Sequence, residues 1–256
     1  MHTTHAAVEL RGVAAAYGAA TVLHEVWARI PARRVTALLG ANGSGKSTLL
    51  GVVAGVHVPA AGAVERFHTA RPALVVQHSA VSDALPVTVR DTVAMGRWAR
   101  RGPWRPLAAR DRAIVASSMR RLGLTALAGR PLGGLSGGQR QRALLAQGLA
   151  QHSDLLLLDE PATGLDAATQ REIPGILEEL RAQGATVVHA THDPEAARRA
   201  DYRLHLHGGR LVGGDGPDRA PAPDPEAGAD AGPEPSAPPD RRTTAHPPAR
   251  SAAAHP

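Results

Sequence analysis

"GANGSGKST", residues 40–48, sets Gly40, Gly45, Lys46 and Ser47 in the pattern G-x-x-x-x-G-K-[ST]. It runs out of the apolar stretch "RRVTALLG" and into "STLLGVVAGV", whose Leu and Val fall at helical spacing, so the glycines occupy a strand-to-helix turn. In such a turn, successive backbone N–H groups point inward around phosphate oxygens, and the helix N-terminus adds its positive end. Lys46 is the only lysine in a chain with 29 Lys plus Arg. Arginine serves at every other basic position. The exception has a geometric reason: a compact ammonium on a slim stem reaches between β- and γ-phosphates, where a planar guanidinium is too wide for the loop.

The partner of this loop is "LLLLDE", residues 155–160. Four leucines in a row read as a strand buried on both faces, and "GATVVHATHD" reads as another, which together imply a parallel sheet. At the end of the first strand, Asp159 is placed to hold Mg²⁺ through water, with the Ser47 hydroxyl as a direct ligand. Glu160 comes immediately after and is placed to orient and deprotonate an attacking water. The alternative for this acidic pair is a helix N-cap.

Around these pieces, "AAVELRGVAAAY" and "TVLHEVWARI" read as strands, as do "AVERF" and "ALVVQ". From Thr88 to about Gln151 the pattern turns helical, through "RDTVAMGRWAR", "ARDRAIVASSMRRLG" and "SGGQRQRALLAQGLAQ". "YRLHLHGGRLV" predicts a hairpin around Gly208 and Gly209. From about Gly213 the composition shifts to Pro, Ala and Asp without apolar periodicity, and residues 214–256 are expected to be a disordered tail.

The totals are compatible with this plan. A net charge of +6 and a pI near 11 reflect an arginine-heavy composition, although they would suit nucleic acid or an anionic surface. With 0 Cys there is neither a disulfide nor a thiolate metal site, as suits a reducing compartment. No apolar run reaches the ~18 residues of a membrane span. His205 and His207 share a strand face, but two ligands alone make a poor metal site.

The motif that discriminates among phosphate-loop proteins is "LSGGQRQR", Leu135 to Arg142. With the phosphate loop before it and "LLLLDEPATGLD" after it, the chain resembles the nucleotide-binding subunit of an ABC transporter, over roughly residues 8–212. The resemblance implies an α/β fold: a P-loop ATPase core with a mainly parallel sheet, an antiparallel β subdomain, and a helical subdomain at about 78–152, within a domain at 1–213. It also assigns residues. Gly40, Ala41, Asn42, Gly43, Ser44, Gly45, Lys46, Ser47 and Thr48 form the nucleotide cradle, and Tyr17 matches the aromatic that stacks on adenine. Gln77 matches a glutamine that touches Mg²⁺ and water, and His192 a histidine that contacts the γ-phosphate. Ser136, Gly137, Gly138 and Gln139 match the signature that caps the nucleotide of the opposite subunit, and Asp166 the loop crossing the dimer interface. Ala41 stands where proline is common. The stretch before Gln77 is shorter than usual, so a strand or hairpin is expected to be trimmed. Pro174-Gly175 predicts a kink or a late start in the helix after Asp166.

The resemblance further implies an ATPase using ATP and Mg²⁺, working as a homodimer on the cytoplasmic face of the cell membrane. Its partners would be integral membrane permease subunits and, indirectly, an extracytoplasmic solute-binding protein. "PVTVRDTVAMGR" and "PATGLD" are similar to the ATPases of zinc and manganese importers, which points to a divalent metal, zinc ahead of manganese. Iron-chelate or cobalamin import is the alternative cargo. The rival from another class is a soluble ABC ATPase acting on nucleic acid. "RWARRGPWRP" is the only basic-aromatic run that would serve it, and docking on the membrane partner, with no nucleic acid bound, is the preferred reading.

Overall fold

The computed structural model describes residues 5–68, 70–76 and 86–215. Its first two strands, β1 (Ala6–Tyr17) and β2 (Ala20–Pro31), pair antiparallel around a tight turn at Gly18. β4 (Ala61–Arg66) joins the other edge of β1, making a three-stranded antiparallel sheet in the order β2-β1-β4. The second sheet has six strands in the order β5-β6-β7-β3-β8-β9. These are β3 (Val35–Leu39), β5 (Ala73–Val75), β6 (Leu155–Asp159), β7 (Thr186–Thr191), β8 (Tyr202–His207) and β9 (Arg210–Asp215). All neighbours are parallel except β8 and β9, which form the hairpin expected around Gly208 and Gly209.

The leucine run of β6 shows how the six-stranded sheet is covered. Side chains alternate across a strand, and here both faces are dry. Leu155 and Leu157 join a core that includes β1, β2 and helix α1 (Lys46–Ala54). Leu156 and Leu158 join the other core, built with helices α2 (Val89–Met95), α4 (Ala109–Arg121), α5 (Gly137–Gln151), α6 (Ala167–Ala182) and α7 (Pro194–Arg198). Val187 and Val188 of β7 divide in the same way. A short α3 (Trp98–Arg101) links α2 to α4.

Helix α6 does not have the late start that was one of the two expected forms: it begins directly after Asp166 and is helical through Pro174 to Ala182. A strong N-terminus compensates for the missing N–H at Pro174: the Asp166 carboxylate accepts from the Thr169 N–H at 2.9 Å and from its hydroxyl. Three of the buried side chains, Ile173, Ile176 and Leu177, flank the proline on the core face and hold that turn in place.

The helices of the second core approach so closely at one point that no side chain fits. Gly96 ends α2 with an ordinary φ of −56°, so its glycine answers to space and not to backbone twist. A Cβ there would lie 2.3 Å from the Gln147 carbonyl of α5. Gly96→Ala is therefore expected to cost about 1–3 kcal/mol and to lower the melting temperature by several degrees. Gly134→Ala, where a Cβ meets nothing within 4 Å, leaves it unchanged. Equal melting temperatures for the two variants would refute the close approach.

Candidate functional site

The phosphate loop leaves the C-terminal end of β3 and enters α1, which starts at Lys46. Its glycines are required by geometry. Gly43 and Gly45 have φ of +78° and +102°, and a Cβ on Gly40 would fall 2.4 Å from the Leu206 carbonyl and 2.5 Å from Ser44 Oγ. Lys46 is only 5% exposed. Its Nζ donates to the Gly40 and Ala41 carbonyls at 2.8 and 3.0 Å, so the loop bends over its own ammonium. Ser44 Oγ is buried with no hydrogen-bond partner among the described residues, an open polar group within the cradle.

The carboxylates of β6 reach the same place. A cavity of about 390 Å³ is lined by Asn42, Gly43, Gly45, Lys46, Ser47 and Thr48 on one side and by Asp159 and Glu160 on the other, with Val22 at its edge. Burial pushes the Asp159 carboxyl up, while a hydrogen bond from Ser47 pulls it back. These two oxygen donors, a hydroxyl and a carboxylate already joined, are the hard ligand pair that Mg²⁺ prefers.

Glu160 does not cap a helix. It has a left-handed φ of 48°, its N–H donates to the Ala190 carbonyl at 3.2 Å, and α6 begins only after Asp166. One carboxylate oxygen lies 3.6 Å from Lys46 Nζ and 3.9 Å from His192 Nδ1, and the other accepts from the Thr163 hydroxyl at 3.1 Å. The structure thus brings together Lys46, Asp159, Glu160 and His192 from three separate motifs.

The other expected residues lie elsewhere. Ser136 and Gln139 form a capping box at the start of α5: the Gln139 N–H donates to Ser136 Oγ at 3.3 Å and the Ser136 N–H to Gln139 Oε1 at 3.2 Å. A Cβ on Gly138 would meet the Gly164 carbonyl at 3.2 Å, whereas one on Gly137 would meet nothing within 4 Å. None of these, nor Asp166, lines the phosphate cavity. Hydrogen bonds within α6 and around its start hold the Asp166 carboxyl below the usual range. Tyr17 ends β1, 57% exposed, with its ring 4.6 Å from that of His57. Gln77 and the expected 214–256 tail fall on or extend into residues outside the described ones, as do the first residues of the helical subdomain.

Residues 23–163 match the family model described as ABC transporter. The chain belongs to the ABC transporter family. The cassettes of this family hydrolyse ATP. Among its relatives, the chelated iron transport system membrane protein YfeB of Yersinia pestis is 40% identical, over 68% of this chain and 61% of YfeB. The match therefore spans less than two thirds of that relative. The zinc transport system ATP-binding protein TroB of Treponema pallidum is 39% identical over 80% of each chain. Among solved structures, the dimeric bacterial ABC transporter cassette MJ0796 superposes with a TM-score of 0.73 at 25% identity, over 82% of this chain and 98% of that one.

Two polar groups around this ABC site had no sequence signal of their own. Gln141 sits one turn into α5 and donates to the Pro161 carbonyl at 3.4 Å, tying the signature helix to the segment after Glu160. His189 lies between His192 and the apolar body of β7 and lines a larger cavity, about 830 Å³, between α6 and α7. Burial pushes its imidazole down to about 4. The folded protein keeps this ring neutral while the unfolded chain protonates it near 6.5. Stability is then intact above pH 6.5 and is lost as pH falls from 6.5 toward 4, by roughly 3 kcal/mol. The denaturant-derived stability of wild type minus that of His189→Leu should fall by that amount as pH drops across this window. A difference independent of pH would show that His189 is not held neutral.

Proposed function

We propose that this chain is the ATP-hydrolysing subunit of an ABC importer for a divalent transition metal, zinc before manganese. The observation that carries the chemistry is the position of Glu160, which lines the phosphate cavity 3.6 Å from Lys46 Nζ and approaches His192 outside it at 3.9 Å. Lys46 gives a fixed positive charge between β- and γ-phosphate oxygens, and the cradle of residues 40–48 adds backbone N–H donors. Glu160 accepts the proton of the attacking water, held toward the phosphate by its left-handed backbone and by Thr163. His192, exposed at the rim, contacts the γ-phosphate and separates the states before and after hydrolysis. Mg²⁺ would be held by Ser47 and Asp159, with Gln77 as a further ligand, and would neutralise charge on the phosphate oxygens.

The dimer accounts for what the single cavity lacks. The signature residues Ser136, Gly137, Gly138 and Gln139, and Asp166, stand apart from the phosphate loop, and Gly137 offers open space. In a head-to-tail homodimer, each signature closes the other subunit's cavity over ATP, with Tyr17 stacked on adenine. The dimeric state of the cassette MJ0796 supports a dimer as the working form. Closure and reopening would drive two permease subunits from the cytoplasmic face of the membrane, with a solute-binding protein delivering cargo and no nucleic acid involved. TroB supports zinc as the cargo. The likeness to YfeB favours chelated iron as the second reading.

Glu160→Gln is expected to reduce ATP turnover about 100-fold or more while ATP binding survives. ATP hydrolysis near the wild-type rate would remove Glu160 from the role of base. Lys46→Arg should instead weaken ATP binding itself, because the wider guanidinium has to displace the Gly40 and Ala41 carbonyls; equal affinity, read by titration, would overturn the geometric reason for lysine.

A strain lacking this chain and any second zinc importer should grow poorly under zinc chelation and recover with added zinc. Recovery only with chelated iron or with manganese would move the cargo to that metal and leave the ATPase assignment in place.

A further inference from the structure

The segment from Arg97 to Arg112 concentrates charge and aromatic surface in a way the rest of the chain does not. It holds six arginines against one carboxylate, Asp111, in a protein whose formal net charge is +6. Two of the three tryptophans lie here, Trp98 at 42% exposure and Trp104 at 94%. An arginine-rich composition accounts for the arginines alone. It accounts neither for the absence of exposed carboxylates nor for two indoles left in water, where burying a large apolar side chain would gain about 1.5–3 kcal/mol.

The arginines fall into two sets. Arg97 is buried: its Nε donates to Asp111 Oδ1 at 3.0 Å, and its Nη1 donates to the Ala150 and Gln151 carbonyls at 2.8 and 3.2 Å. Arg101 pairs with the other oxygen of Asp111 and donates to the Pro106 carbonyl, and Arg112 donates to the Leu107 carbonyl at 2.8 Å. Asp111 also accepts from the Ala108 N–H. These contacts clamp the turn after α3 onto α4 and α5. Arg100, Arg105 and Arg110 are the second set. They are exposed, and among the described residues their side chains have no ion-pair or hydrogen-bond partner. The clamped segment thus carries three free guanidinium groups and two exposed indoles between Trp98 and Arg110, with Pro103 next to Trp104 and Pro106 two residues beyond it.

We propose that this segment binds an anionic lipid surface directly, the guanidinium groups of Arg100, Arg105 and Arg110 engaging lipid phosphates and Trp98 and Trp104 settling at headgroup depth. Guanidinium matches phosphate bidentately, and indole rings favour the membrane–water interface, so the two chemistries are complementary to one ligand. This goes beyond docking on permease subunits, because it requires no other protein.

The test is cosedimentation of the full chain with vesicles of phosphatidylcholine alone and with vesicles containing about a third phosphatidylglycerol. Binding is expected only to the anionic vesicles, weakened by salt, with a blue shift of tryptophan emission. The triple variant Arg100→Gln, Arg105→Gln, Arg110→Gln should bind about 100-fold more weakly, at roughly a tenfold or smaller loss per charge. Trp104→Ala should bind about tenfold more weakly and lose most of the shift. Both variants should keep the wild-type melting temperature and ATPase rate, since none of these residues lines the phosphate cavity. Three results would overturn the proposal: no preference for anionic vesicles, equal binding by folded variants, or binding to a single-stranded oligonucleotide at physiological salt without binding to vesicles. Each would leave ATP hydrolysis and metal uptake as proposed, because those are read in separate assays.

Discussion

The ammonium of Lys46 lies against the carbonyls of Gly40 and Ala41, and much of the core is arranged so that it can do so. The loop closes over the lysine only because Gly40 has no Cβ to strike Leu206 and Ser44. That contact involves β8, a strand distant in sequence, and the Gly209 N–H just beyond it donates to the Ser44 carbonyl at 3.0 Å. The phosphate cradle is therefore held from outside by the hairpin β8–β9 as well as by β3 and α1. Any displacement of β8 against β3 would open the space that Gly40 leaves and loosen the lysine's two acceptors.

The same sheet sets the distance from the cradle to the carboxylates. β3 and β6 are not neighbours; β7 lies between them and pairs in parallel with both. Lys46 and Glu160 consequently meet above β7, whose last residues, Ala190 and Thr191, lead into His192. Ala190 receives the Glu160 N–H, so the strand that carries the histidine also fixes the backbone of the glutamate. Three motifs far apart in sequence converge because parallel strands deliver their C-terminal ends to one edge of the sheet.

Most of this was legible in the sequence, and for identifiable reasons. "GANGSGKST" and "LLLLDE" specify backbone geometry and two-sided burial, which are local properties written in residue type. Strand positions and the hairpin at Gly208 and Gly209 came from periodicity and punctuation. Other features were illegible because they depend on what a side chain meets after folding. Resemblance singled out His192 in "VVHATHD", but no local pattern there says that His189 is buried at 4% exposure and lines a cavity of its own. The glycine at 96 resembles an ordinary helix stop until α5 is brought against it. The proline at 174 argued for a kink or a late start, and the late start does not occur, because the cap at Asp166 and the buried Ile173, Ile176 and Leu177 outweigh the one missing hydrogen bond.

The signature shows how one sequence can serve two needs. Ser136 and Gln139 satisfy each other's backbone donors, which stabilises the first turn of α5 by the same chemistry as any capping box. The two glycines between them are not equivalent. Gly138 is required inside the chain, where the Gly164 carbonyl approaches, and Gln141 reinforces that contact through Pro161. Gly137 has no such internal reason. The packing therefore ties the start of the signature helix to the segment that follows Glu160, so the capping box that stabilises α5 also anchors the helix beside the carboxylates of β6.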